Sequence, residues 1–103
     1  MRLEAARRRV RDGLIERLRR ALTAQPPADV EAVFLFGSLA RGDFDGNSDV
    51  DLMVVGHRDG IDRAALLRLG RHVDVVLVSP ERFRRSQSPV VSAVRETGVR
   101  LWP

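Results

Sequence analysis

One carboxylate stands where a strand would be expected to carry only apolar side chains. Asp74 sits inside Val73 to Val78, a run whose other members are all valine or leucine. Such β-branched content over six residues predicts a strand. A carboxylate in a buried strand is expensive unless it is paired or bound to a cation. Asp74 therefore predicts either an exposed position on a sheet edge or a place in a charged site.

Two further strand-sized runs accompany it. Val30 to Phe36 is rich in β-branched and aromatic residues, and Asp49 to Val55 follows a loop of Gly, Asp, Asn and Ser. Before them, Leu3, Ala6, Val10, Leu14, Leu18 and Ala21 recur at helical spacing, with arginines mostly on other faces. Gln25, Pro26 and Pro27 end that helix, because proline lacks an amide hydrogen and biases the preceding residue away from helix. A polar break at Gly56 to Gly60 leads into a short helix from about Asp62 to Leu69, with Gly70 as its terminator. Ser79 and Pro80 open a short helical segment, and Ser88 and Pro89 open another that ends near Gly98. Val99 to Trp102 is expected to form a last short strand. The main order reads α, β, β, α, β, α, β, within a single domain spanning residues 1–103.

Composition excludes several classes. Apolar residues form 44% of the chain and charged ones 31%, a globular balance rather than a disordered one. The absence of cysteine rules out a disulfide framework, a thiolate nucleophile and a cysteine zinc site. Apolar runs are far shorter than the ~20 residues that span a bilayer, and the arginine-rich start lacks the apolar stretch of a signal peptide, so a cytoplasmic location is expected. The net charge of +4 comes with eighteen basic residues, all arginine. Solvated helix faces account for them most simply, although arginine's planar fork also suits phosphate or an acidic protein. With few aromatics and no groove-reading motif, direct nucleic-acid binding is not expected.

The chemistry concentrates between Phe36 and Leu52. Gly37, directly after a strand, lets backbone amides approach a bulky anion, and the Ser38 hydroxyl can donate to it. Arg41 beside Gly42 can supply a permanent positive charge, or can serve as a structural ion-pair partner. Asp49 and Asp51 are two apart in a strand, so both carboxylates are expected on one face. Carboxylates this close repel unless a cation lies between them, and hard oxygen donors favour Mg2+ or Mn2+. If the third strand lies beside the second, Asp74 joins them in a three-carboxylate cluster suited to two metal ions.

Other residues carry weaker signals. Asp43, Asp45, Asn47 and Asp49 alternate like a calcium loop, but Val50 and Gly56 occupy the places where that loop needs glycine and glutamate. Asp43 and Asp45 are read as solvated turn residues. His57 and His72 lie near strand ends, where a structural place is the plainer reading and a catalytic or metal role the alternative. Trp102 and the four phenylalanines are read as core or interface residues.

Gly37-Ser38, ten intervening residues and then Asp49-Val50-Asp51 resembles the signature of the polymerase-β-like nucleotidyltransferase superfamily. The fuller runs Gly-Ser-Leu-Ala-Arg-Gly and Ser48-Asp49-Val50-Asp51-Leu52 are similar to those of prokaryotic minimal nucleotidyltransferases, and Asp74 falls where the third carboxylate is expected. The resemblance implies an α+β palm with a short mixed sheet flanked by helices. It implies ATP as donor, Mg2+ at Asp49, Asp51 and Asp74, with Asp74 as third ligand or base. It puts the triphosphate at Gly37 and Ser38, near Arg41 and Ser48. Many such proteins are antitoxins that adenylylate a tyrosine on a HEPN-family ribonuclease toxin, so a HEPN-type partner is implied as acceptor. A chain this short leaves no room for an acceptor-binding helical domain, so the partner is expected to supply that platform. Two alternatives stand beside this reading: an antitoxin that neutralises by binding alone, and transfer to a small hydroxylated molecule.

Overall fold

The computed structural model describes residues 2–45 and 48–103. Asn47, one member of the calcium-like alternation, lies outside them. Nine elements follow one another: α1 (Arg2–Ala24), β1 (Val30–Phe36), α2 (Ser38–Arg41), β2 (Val50–Gly56), α3 (Arg63–Leu67), β3 (Val73–Val78), α4 (Pro80–Arg85), α5 (Pro89–Thr97) and β4 (Val99–Trp102). The four strands make one mixed sheet in the order β3-β2-β1-β4. β1 is antiparallel to both β2 and β4, whereas β2 and β3 run parallel. The parallel pair follows from α3, which carries the chain back to the starting end of the sheet; a parallel return needs such a crossover. The result is the expected α+β fold with a short mixed sheet flanked by helices.

Alternation along the strands sorts the core into two layers. Val50, Leu52 and Val54 of β2 point to one face, where they pack with Val33 and Leu35 of β1 and with Leu14, Ile15, Leu18 and Leu22 of α1. Met53 and Val55 point to the other, beneath Val91 and Val94 of α5. A register irregularity between Val30 and Ala32 reverses the parity of β1, so Val30 joins the first layer and Ala32 the second. Among the described residues no polar or charged side chain is buried. No helix there is long and apolar enough to cross a membrane.

Local chemistry explains most element ends. The Ser79 and Ser88 side chains accept hydrogen bonds from Arg82 N and Val91 N, and each is followed by proline at the first helical position. Asp62 caps α3 by accepting from Ala64 N and Ala65 N. Several boundaries differ by a residue or two, and two differences bear on the site. Ser38–Arg41, read as loop, closes one helical turn, and the second strand begins at Val50 instead of Asp49. A four-residue turn carries no periodicity to read, and Asp49 is the entry to the strand, one residue before its first ladder partner.

Candidate active site

The parallel pairing of β2 with β3 sets the site. In its register Asp51 stands opposite Asp74, with Val50 opposite Val73 and Leu52 opposite Val75. Val50 and Leu52 are fully buried in the α1 layer, so alternation turns Asp51 and Asp74 to the opposite face of the sheet. That face is covered by α5 over β1 and by α4 near Val78, and it is open toward the start of β3, where Asp74 is exposed.

Two cross-links hold the entries of the two strands together. Val50 N donates to His72 O at 2.9 Å, and Arg71 Nη1 donates to Ser48 O at 3.0 Å. They bring Asp49 beside the end of the preceding loop. His72 Nδ1 lies 3.5 Å from Asp49 Oδ1 and 3.6 Å from Asp74 Oδ1. One donor atom from each of Asp49, His72 and Asp74 lies within 4.8 Å of the others, and all three side chains are exposed. Two hard oxygens and an imidazole nitrogen at this spacing fit a divalent cation.

Asp51 lies behind this trio, half-buried and close under Gly37. An added Cβ at Gly37 would collide with the Asp51 carboxylate, and Gly37 adopts φ 78°, a left-handed conformation that favours glycine. Burial pushes the Asp51 carboxyl above the ordinary carboxylate range. Repulsion from Asp74 and then Asp49 adds to this, while Arg41 and His72 oppose it. The site thus carries more negative charge than its cations balance, which a bound divalent ion would relieve.

The remaining expected residues have defined places. Ser38 opens α2, whose first N–H groups have no acceptor within the helix. Arg41 Nε pairs with Asp43 Oδ2 at 3.2 Å on the surface, so it is an ion-pair partner that also acts on Asp51 through its field. Ser48 Oγ accepts from Asp45 N at 2.9 Å and closes the loop before Asp49. Arg11 anchors α2 from α1, donating to Leu39 O at 3.0 Å and Ala40 O at 3.1 Å. Arg7, Arg8 and Arg11 join Arg41 around a cavity of ≈ 420 Å³, lined also by Glu4 and Asp43 but not by Asp49, Asp51 or Asp74. His72 joins the cluster although the expected ligand set was Asp49, Asp51 and Asp74, with a metal role for it only the lesser alternative. Its signal was available, since it lies two positions before Asp74 and so shares its face by the period of a strand.

A fold of this kind, with paired aspartates at the starts of adjacent parallel strands beneath a Gly-Ser turn, defines a nucleotidyltransferase. The sequence model of the nucleotidyltransferase domain matches residues 15–99, and the chain belongs to that family. It is similar to a candidate protein adenylyltransferase of Methanocaldococcus jannaschii, being 31% identical in an alignment of 70 residues that covers 63% of this chain and 70% of that one. Among solved structures it resembles one of a toxin-antitoxin with AMP-PNP, at a TM-score of 0.57 and 27% identity, covering 85% of this chain and 72% of that one. A mutant toxin-antitoxin structure shares the fold at a TM-score of 0.50 and 24% identity over 89% of this chain and 71% of that one.

Proposed function

We propose that this chain acts as a single domain over residues 1–103, a magnesium-dependent protein adenylyltransferase that moves AMP from ATP to a hydroxyl of a partner protein. The acceptor is a tyrosine of a HEPN-type ribonuclease toxin, and the modification makes this chain its antitoxin. The observation that carries the reading is Asp51 opposite Asp74 beneath Gly37, with Asp49 at the same end of the sheet. The likeness to a candidate protein adenylyltransferase and to a toxin-antitoxin with AMP-PNP supports the choice of a protein acceptor and an adenine nucleotide.

Asp49, Asp51 and Asp74 would hold the metal, two ions of Mg2+ or Mn2+. Bound there, the metal would neutralise the triphosphate and lower the pKa of the attacking hydroxyl. Gly37 lets the backbone approach the phosphates, the Ser38 hydroxyl donates to them and Arg41 adds positive charge. Ser48 keeps the loop closed so that Asp49 faces the nucleotide. In the transfer the acceptor oxygen bonds to the α-phosphorus, and the bond to the bridging oxygen breaks. Pyrophosphate leaves, and the hydroxyl proton passes to the Asp74 carboxylate.

The test is incubation with a HEPN-type partner, Mg2+ and ATP labelled at the α-phosphate, beside an Asp49→Ala, Asp51→Ala double variant. Label on the partner with wild type and none with the variant is expected. A tight complex without label would favour neutralisation by binding. Label on a small hydroxylated compound, never on protein, would favour that acceptor class instead.

A further inference from the structure

The carboxylates of a phosphoryl-transfer site are all oxygen donors, yet the described residues put an imidazole among them. His72 Nδ1 is nearly equidistant from Asp49 Oδ1 and Asp74 Oδ1, at 3.5 and 3.6 Å. Donors bonded to one cation at ~2.1 Å are separated by ~3.0 Å at the edge of an octahedron and ~3.4 Å at the edge of a tetrahedron. The two N···O separations are close to the tetrahedral edge, and all three donor atoms lie within 4.8 Å of one another, within reach of one cation after side-chain adjustment.

Position and backbone support the same conclusion. The His72 carbonyl accepts from Val50 N, inside the stretch that carries Asp49 and Asp51. Arg71, its neighbour, is tied to Ser48 O and lies with its guanidinium 6.0 Å from the Phe44 ring centroid. Phe44 is buried in the core. The His72 backbone is thus tied to the second strand, the Arg71 side chain is tied to the residue pair leading into it, and the His72 ring is delivered to Asp49 and Asp74 by sheet register. An exposed histidine used only as a surface ion pair would contribute little to stability and would need no such anchoring.

We propose that His72 is a metal ligand through Nδ1, and that it biases the site toward divalent first-row transition ions over Mg2+. The proposal rests on the reading of Asp49 and Asp74 as metal ligands. Mg2+ binds oxygen and releases its water reluctantly, whereas imidazole is a good ligand for first-row transition ions. Replacing one oxygen donor by nitrogen therefore costs Mg2+ more than it costs Mn2+.

The purified chain is titrated with Mn2+ and followed by electron paramagnetic resonance, with Mg2+ as competitor and neither nucleotide nor partner present. Pulsed measurements on the bound Mn2+ are expected to show coupling to an imidazole nitrogen. His72→Ala and His72→Gln lose that coupling and weaken Mn2+ by about tenfold or more, while Mg2+ changes less. His57→Ala keeps the coupling, because His57 follows β2 at its other end. Circular dichroism of each variant checks that the fold persists. Absence of nitrogen coupling in the wild type, or an unchanged preference for Mn2+ over Mg2+ in folded His72→Ala, overturns the proposal. Transfer of AMP without nitrogen coupling would leave the proposed function standing and reduce His72 to a counter-charge. Coupling without any transfer would do the reverse.

Discussion

Asp51 and Asp74 face each other across the parallel β2–β3 pair, one carboxylate half-buried and the other exposed. Like charges opposed on adjacent strands destabilise a sheet. The fold tolerates the pair because Asp74 lies at the sheet's open edge, with Arg41 and His72 partly compensating Asp51.

That arrangement sets a pH dependence. The Asp51 carboxyl is raised by burial first and by Asp74 and Asp49 next, so the folded chain holds its proton more tightly than the unfolded chain does. Native protein binds the excess proton between the ordinary carboxylate range and the raised value, and stability falls as pH rises through that window. In a chelator, Asp51→Asn is expected to melt above wild type near neutral pH, with the difference vanishing as pH drops below the ordinary carboxylate range. Mg2+ should raise the wild-type melting temperature and do so far less in Asp51→Asn. Thermal melts from acid to neutral pH, with and without Mg2+, measure both. A constant difference across pH would contradict the assigned cause.

Gly37 and Gly42 separate two reasons for glycine. Both have positive φ, at 78° and 88°. A Cβ at Gly42 meets nothing within 4 Å, whereas one at Gly37 strikes the Asp51 carboxylate. Gly42→Ala should cost about 1 kcal/mol, the left-handed backbone penalty alone. Gly37→Ala should cost roughly 2–3 kcal/mol, because its ψ of −157° puts it in a region open almost only to glycine and because Asp51 must also move. Urea midpoints compare the two, and equal losses would show that neither the Asp51 contact nor the rarer backbone conformation of Gly37 adds to the cost.

Arg11 holds the Gly-Ser turn from behind. Its guanidinium donates to Leu39 O and Ala40 O, carbonyls of the single-turn α2. Arg11→Ala should lose about 1–2 kcal/mol, the range for hydrogen bonds made by a charged donor. Arg11→Lys should lose less than alanine, since an ammonium can still reach one of the two carbonyls but cannot match the fork. Chemical denaturation gives the values, and a lysine variant as damaged as alanine would show that the fork itself is required.

Short-range physics made most of the elements legible in the chain alone. The spacing of Leu14, Leu18 and their neighbours made one long helix, β-branched runs made three strands, and Ser79-Pro80 and Ser88-Pro89 started two helices in the observed places. The Gly-Ser turn and the Asp-x-Asp pair were legible for the same reason, since their chemistry lies within a few residues. Which groups meet depends on packing between distant segments. His72 reaches Asp49 because β3 runs parallel to β2, in a register that depends on the α3 crossover and on burial of Val50 and Leu52. Asp51 was turned from an equal member of a carboxylate trio into the half-buried neighbour of Gly37 by the same packing. Strand pairing is a contact between residues distant in the chain, selected by which face the core covers, and no local pattern encodes it.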